Sequence, residues 1–305
     1  MGVLPRIEFE ILSFLEKNSL QSYTFRELAD HLCVSLSVII DSSLKLQRED
    51  KLVKLQDRYE LTDNGRDALE PYRVKRAIIL AAGFGSRMLP ATADKPKPLV
   101  TVNGTRIIDT LIDALIAADI KDITIVRGYR KEAFEKLLDK YPFVKLEDND
   151  LYAETNNISS VMKVLDLLEG GCYLCEADLL VSNPGIITKY EYTSNILGSW
   201  SLQTDDWSFR MKDGFITDYQ KGNTYCWNYY GISYWTPEDC AKLQKDFKDV
   251  WEGPDGKDYF WEFIPLILKK ENYSVEIRQC RKQDIVEIDN YYELAQLDPS
   301  YEINH

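Results

Sequence analysis

The stretch Arg76-Ala-Ile-Ile-Leu-Ala-Ala-Gly-Phe-Gly-Ser-Arg87, followed by Lys95-Pro-Lys-Pro-Leu99, limits what this chain can become. Residues 77–80 form a short apolar run, the pattern of a buried strand. That strand opens into a loop where Gly83 and Gly85 are free to adopt positive φ and leave room for another group to approach the backbone. Their N–H groups, with Arg87 at the end of the loop, suit a polyphosphate. Pro96 and Pro98 are expected to hold the chain extended, with Lys97 on a stiff arm and not in a helix.

From residue 76 strands and helices alternate. Strands are expected at 77–80, 123–126, 143–146 and 172–175, and helices at 107–118, 131–140 and 159–168. That order implies an α/β domain with right-handed crossovers and a mainly parallel sheet. Short strands at 197–202, 207–212, 215–219 and 227–235 predict an antiparallel insertion or sheet edge.

Residues 1–72 have a different pattern. Ile7, Ile11, Leu12 and Leu15 mark one amphipathic helix, and Thr24 with Glu27 forms a capping box for a second. A third helix follows over 36–49, then two short strands at 52–55 and 59–61, then Leu61-Thr-Asp-Asn-Gly-Arg-Asp-Ala-Leu69. This order resembles the winged helix-turn-helix domains of bacterial transcription regulators. The positions that would meet base edges carry Ser35, Ser37, Val38, Ile39 and Asp41. Residues 1–75 hold 11 Lys and Arg against 13 Asp and Glu, so the electrostatic footprint of a DNA binder is missing. Lys51, Lys54 and Arg58 on the ribbon remain as phosphate contacts. The expectation is a docking, dimerising or regulatory domain over 1–72, compatible with a homodimer, linked through 70–75 to a catalytic domain over 76–305.

The formal net charge of −13 argues against general affinity for nucleic acid or anionic membrane. No run of eighteen apolar residues and no secretory leader pattern occurs, so a cytoplasmic protein with no membrane partner is expected. Six scattered cysteines read as reduced thiols. Cys172 and Cys175, three apart on a strand, point to opposite faces and have no histidine nearby, which disfavours zinc. His31 and His305 are the two histidines, and their placement excludes histidine-based catalysis.

Three glycine-loop chemistries compete for residues 80–99. A P-loop needs Gly-Lys-Ser/Thr, which Gly85-Ser86-Arg87 lacks, and a dinucleotide fingerprint needs a third glycine where Met88 stands. Leu80-Ala-Ala-Gly-Phe-Gly-Ser-Arg87, Pro90, Thr92 and Pro96-Lys-Pro-Leu99 instead resemble the nucleotidyltransferases that activate sugar phosphates and alcohol phosphates. The resemblance implies a Rossmann-like domain in which Leu80, Ala82, Gly83, Gly85 and Ser86 bind a nucleoside triphosphate. Arg87 and Lys97 would then be its catalytic cations. Such chemistry needs fixed cations, because a phosphate oxygen attacks phosphorus while pyrophosphate leaves.

Hard carboxylates are the expected Mg²⁺ ligands. Asp178 ends an apolar strand and corresponds to the family's metal-binding aspartate, with Glu176 two residues earlier as an assisting or buried acid. Glu287 and Asp289, two apart, share a strand face and complete the expected set.

Within the family, residues 76–300 resemble bacterial CTP:phosphocholine cytidylyltransferases. The matching segments are Tyr152-Ala-Glu-Thr-Asn-Asn157, Gly128-Tyr-Arg-Lys-Glu132 and Glu287-Ile-Asp289. Asn156 and Asn157 suit a base edge, since an amide both donates and accepts. Asp205-Asp-Trp207 and Asp258-Tyr-Phe-Trp-Glu262 resemble choline-pocket segments, nominating Trp207, Phe260, Trp261 and Glu262 for a cation–π pocket. The expectation is therefore a Mg²⁺-dependent cytidylyltransferase making CDP-choline and pyrophosphate from CTP and phosphocholine. Alternatives are phosphoethanolamine, 2-aminoethylphosphonate or a sugar 1-phosphate as acceptor. The alternative from another class is a DNA-binding regulator with a nucleotide-sensing domain.

Overall fold

The computed structural model describes residues 3–302, so His305 lies outside the described residues. The chain divides into two compact units, Met1–Arg73 with Tyr190–Tyr192, and Val74–Lys189 with Thr193–His305.

The first unit contains helices α1 (Arg6–Lys17), α2 (Phe25–Leu32) and α3 (Leu36–Arg48). A hairpin of β1 (Leu52–Leu55) and β2 (Arg58–Leu61) and a short helix α4 (Asp63–Leu69) follow. The Thr24 side chain accepts from the Glu27 N–H and Glu27 accepts from the Thr24 N–H, satisfying two orphan donors at the start of α2. Leu12, Leu28, Ile39 and Leu46 are fully buried at the centre of this unit.

The second unit begins with β3 (Arg76–Ala81), a small hairpin of β4 (Thr101–Val102) and β5 (Thr105–Arg106), and helix α5 (Ile107–Ala117). Next come β6 (Ile123–Arg127), β7 (Lys145–Asp148), α6 (Ile158–Lys163), β8 (Cys172–Glu176) and β9 (Leu179–Val181). Two long strands, β10 (Asn195–Lys212) and β11 (Phe215–Trp235), precede α7 (Pro237–Trp251), β12 (Glu276–Gln279), β13 (Ile285–Glu287) and α8 (Tyr291–Leu297).

Seven strands form one mixed sheet in the order β10-β12-β11-β8-β3-β6-β7. Its parallel part is β8-β3-β6-β7, and β11 joins antiparallel to β8. Alternate residues of β3 feed two cores, because strand side chains change face at every step. Ala77, Ile79 and Ala81 pack with α5, while Ile78 and Leu80 pack with Val161 of α6 and Leu243 of α7. Cys172 and Cys175 fall in different cores, as their odd spacing requires, and all six cysteines are free thiols. Burial pushes the Cys175 thiol up to about 12, away from reactivity.

The chain runs from β3 to β6 and β7 on one side, then returns through α6 to β8 on the other. A crevice therefore opens between the carboxyl ends of β3 and β8, where open α/β sheets bind ligands.

Several expected elements differ. The helix expected over 131–140 is a run of 3₁₀ turns, Lys131–Leu137, begun by Arg130 at φ 47°. The strand expected at 143–146 is shifted to β7, because pairing with β6 places Lys145 opposite Thr124 and leaves Phe143 half exposed. The helix expected over 159–168 breaks after Lys163 into a 3₁₀ turn, Leu165–Leu167. The four short strands after residue 196 merge into β10 and β11. Backbone pairing continues through the polar pairs Gln203–Thr224 and Thr204–Asn223, since ladder hydrogen bonds do not depend on side-chain polarity. Among the described residues no helix is long and apolar enough to cross a membrane.

In the first unit three cations near α3 and the hairpin are matched with acids, whereas Lys54 lies over the Tyr59 ring and Arg48 donates to the Leu44 carbonyl. Lys45 lies 2.6 Å from the buried Glu8, Lys51 2.6 Å from Glu49, and Arg58 3.3 Å from Glu27. The exposed side chains of α3 include Leu36, Val38 and Leu44. Duplex DNA is accordingly expected to migrate unretarded with the full-length protein in a low-salt gel shift. Retardation that weakens steeply with added salt would contradict this.

Candidate active site

The crevice is a cavity of about 580 Å³, within the range of small-molecule sites. One wall is the loop after β3. Gly85 adopts φ +62°, and a Cβ there would meet the Lys97 Cβ at 2.7 Å, so only glycine fits both the conformation and the contact. Gly83 does not take positive φ, contrary to expectation; it instead faces open space, with nothing within 4 Å of a Cβ placed there. The loop is tied back by a hydrogen bond from the Thr92 hydroxyl to the Gly85 carbonyl, 2.9 Å.

Lys97 is not on an extended arm. Pro96 is extended, but Lys97–Leu99 closes a 3₁₀ turn, which Pro98 permits because a first-turn residue needs no N–H partner. The turn buries Lys97 and drives its ammonium into the crevice, 2.8 Å from Asp178 Oδ2 and 3.7 Å from Asp289 Oδ1. Burial opposes the charge, yet the carboxylates of Asp178, Asp289 and Glu287 outweigh it and hold the lysine above its ordinary pKa. Arg87 is largely exposed, and one guanidinium nitrogen lies 2.8 Å from Asp289 Oδ1.

The floor is acidic. Asp178 follows the end of β8, and β13 pairs antiparallel with β9 so that Glu287 comes alongside. Glu176, Asp178 and Glu287 each offer an oxygen within 4.8 Å of the others. Asp178 Oδ1 is buried without a hydrogen-bond partner. Burial pushes Glu287 up, reinforced by Asp178 and Asp289, and burial with Glu262 and Asp178 does the same for Glu176. Three converging carboxylates with an unused buried oxygen fit a hard divalent cation. Of the expected metal ligands, Asp178 and Glu287 join Glu176, whereas Asp289 is engaged by Arg87 and Lys97.

The far wall comes from the β10–β11 ribbon and residues 258–262. Trp207, Tyr219, Lys221, Tyr229, Phe260 and Glu262 all line the cavity. Trp207 stacks on Tyr219 at 4.8 Å, so one of its faces is covered. Glu262 is buried and accepts a 3.0 Å hydrogen bond from the Tyr229 hydroxyl through Oε1, with the buried carboxyl of Glu176 beside it. Burial raises its pKa, opposed by hydrogen bonding from Glu176, Tyr229 and Asn157.

Trp261 must be corrected. It is completely buried against Trp235 and is absent from the cavity wall, because the turn that leads into the π-helix Ile264–Leu268 directs its indole into the core. Leu80, Ala82, Gly83, Gly85, Ser86, Asn156 and Asn157 do line the cavity.

Sequence reasoning missed Tyr219, Tyr229, Lys221 and Gly231. Register alone identifies Lys221, which pairs with Trp207 across the ribbon. Gly231 lies on β11 beside Glu176, where a Cβ would meet the Glu176 carboxylate at 2.5 Å.

The sequence pattern of the Nucleotidyl transferase family matches residues 76–184. The chain is 38% identical over 228 residues to the 2-aminoethylphosphonate cytidylyltransferase of Lancefieldella rimae, covering 74% of this chain and 92% of that protein. It is 31% identical to the choline-phosphate cytidylyltransferase of Haemophilus influenzae, covering 74% and 99%. The solved structure of CTP:phosphocholine cytidylyltransferase from Streptococcus pneumoniae superposes with a TM-score of 0.68 at 28% identity, covering 75% of this chain and all of that one.

Gly231→Ala is expected to swing the Glu176 carboxylate out of the acidic cluster and weaken divalent-cation binding about tenfold, with little change in melting temperature. Calorimetric titration with Mn²⁺ checks this. Unchanged affinity would remove Glu176 from the set.

Proposed function

The chain belongs to the nucleotidyltransferase family, and on that premise we propose that it is a cytidylyltransferase joining the CMP unit of CTP to 2-aminoethylphosphonate or a close primary-amine analogue, with release of pyrophosphate. The observation that carries the choice of acceptor is Glu262, a buried carboxyl in the far wall that shares a hydrogen bond with the buried Glu176 beside it. Two buried carboxyls that must share a proton are costly, and a primary ammonium supplies charge and N–H together. A quaternary ammonium supplies charge alone.

Phosphocholine is the second reading, favoured by the rings of Trp207, Tyr219 and Phe260 along the same wall. The stacking of Trp207 on Tyr219 leaves fewer open ring faces for a cation–π cage, which ranks it below the primary amine.

The phosphonate dianion is itself a nucleophile and attacks the α-phosphorus in line, so no general base is required. Arg87 and Lys97 offset the charge that gathers on the triphosphate and the departing pyrophosphate. Asp178, Asp289 and Glu287 hold Lys97 above its ordinary pKa, so its ammonium is charged as the substrates meet it. The triphosphate replaces Asp289 as the partner of Arg87. Asp178 and Glu287 with Glu176 would hold Mg²⁺, Asp289 lying beside them as the partner of Lys97, and the ion when bound would screen the phosphate oxygens. Leu80, Ala82, Gly83, Gly85 and Ser86 receive the nucleotide against an open backbone.

We read residues 1–72 as a winged helix-turn-helix module that docks or regulates. Three helices followed by a hairpin support that architecture, and the matched charges described above argue against DNA as its partner.

A pyrophosphate-release assay should test CTP, UTP, ATP and GTP against 2-aminoethylphosphonate, phosphoethanolamine, phosphocholine and glucose 1-phosphate. The highest kcat/KM is expected for CTP with 2-aminoethylphosphonate, and a preference for phosphocholine would overturn the primary-amine choice. Glu262→Gln is expected to lower kcat/KM for the aminophosphonate about 100-fold. Asp178→Ala is expected to abolish turnover with every pair, and chelation of divalent cations to do the same.

A further inference from the structure

Asn156 and Asn157 line the cavity, and residue type alone suits them to a base edge. Their polar groups are engaged by the protein, the Asn157 amide donating to Glu262. The Asn156 N–H donates to the Lys257 carbonyl at 2.8 Å, and its Nδ2 donates to the Asp258 carbonyl at 3.1 Å. Asn156 Oδ1 accepts from the Asn157 N–H at 2.8 Å, and Asn157 Oδ1 accepts from the Trp261 N–H at 2.8 Å. Two successive residues thus hold one segment about a hundred positions away in the chain.

That segment is tied at its far end, where the carbonyls of Phe260, Trp261 and Glu262 accept from Phe263, Ile264 and Leu266 at the start of the π-helix Ile264–Leu268. Beyond the 3₁₀ turn Gly256–Asp258 its backbone joins no strand. The Trp261 indole anchors it from below, fully buried, while Phe260 and Glu262 emerge on the cavity side. The other end of the tether is fixed by Asn149, whose Nδ2 donates to the hydroxyls of Ser159 at 2.9 Å and Ser160 at 3.0 Å. The Ser159 hydroxyl in turn donates to the Asn156 carbonyl at 3.0 Å. Rigid support therefore passes from the start of α6 through the two asparagines to the wall carrying Phe260 and Glu262.

We propose that Asn156 and Asn157 are positioning residues of the acceptor subsite, clamping residues 257–262 so that Glu262 meets the acceptor amine, and are not readers of the nucleotide base. This rests on the assignment of the far wall to the acceptor.

Steady-state kinetics with both substrates varied separate the two roles. Asn157→Ala is expected to raise the acceptor KM about tenfold while the CTP KM changes by less than about twofold. Asn157→Asp keeps the Oδ1 acceptor for the Trp261 N–H but loses the amide donor to Glu262, so it is expected to restore exchange protection at 257–263 while the acceptor KM stays raised. Hydrogen exchange supplies a readout independent of substrate: Asn157→Ala should deprotect peptides spanning 257–263 while the β3–β6–β8 peptides stay protected. An increase in the CTP KM, or weaker discrimination of CTP from UTP, with the acceptor KM unchanged would overturn the clamp. Unchanged exchange at 257–263 would do so too. If wild-type protein turns over phosphocholine but not the aminophosphonate, the primary-amine choice fails instead, and the same KM comparison is read with phosphocholine.

Discussion

The pairing of Lys97 with Asp178 holds the crevice together. A buried ammonium without a partner is costly, and so is a carboxylate at the end of a parallel strand. Each offsets the other at 2.8 Å, and the contact joins the turn after the glycine loop to the carboxyl end of β8. Gly85 is glycine because its Cβ would occupy the space of the Lys97 side chain, so the loop conformation and the ion pair require each other. Asp289 extends the pair into a network with Arg87, drawing the segment after β13 to the same place.

Around that network the cavity has two chemical halves. Near β3, cations and open backbone suit polyphosphate. Across the floor, carboxylates accumulate until burial and mutual repulsion push Glu176 and Glu287 up. Such crowding of like charge is expensive in an empty site and is relieved by a bound cation, whether a metal ion or a substrate amine. Glu262 belongs to the far half, held by Tyr229 from β11 and by a segment that hydrogen-bonds to Asn156 and Asn157.

The alternating strand and helix pattern after residue 76 made the α/β sheet legible, because buried parallel strands need continuous apolar runs. The capping box of α2 and the opposite facing of Cys172 and Cys175 were legible for equally local reasons. Pairing decided the rest. β10 and β11 extend through polar segments that carry no strand signal, and β7 is displaced by its register with β6. Trp261 shows the limit of composition: an aromatic next to two cavity residues points into the core, and only the path of the chain reveals it.

From sequence alone came the glycine loop, its two cations and the acids at the ends of apolar strands, since their spacing along the chain is itself the chemical signal. Tertiary structure alone decided which acids converge, that Lys97 is buried, and that Gly231 makes room for Glu176. It also decided that the paired asparagines hold another loop. These are relations between residues about fifty to two hundred positions apart, made close by strand register and by the return of the chain from β7 to β8. No local pattern encodes such distances.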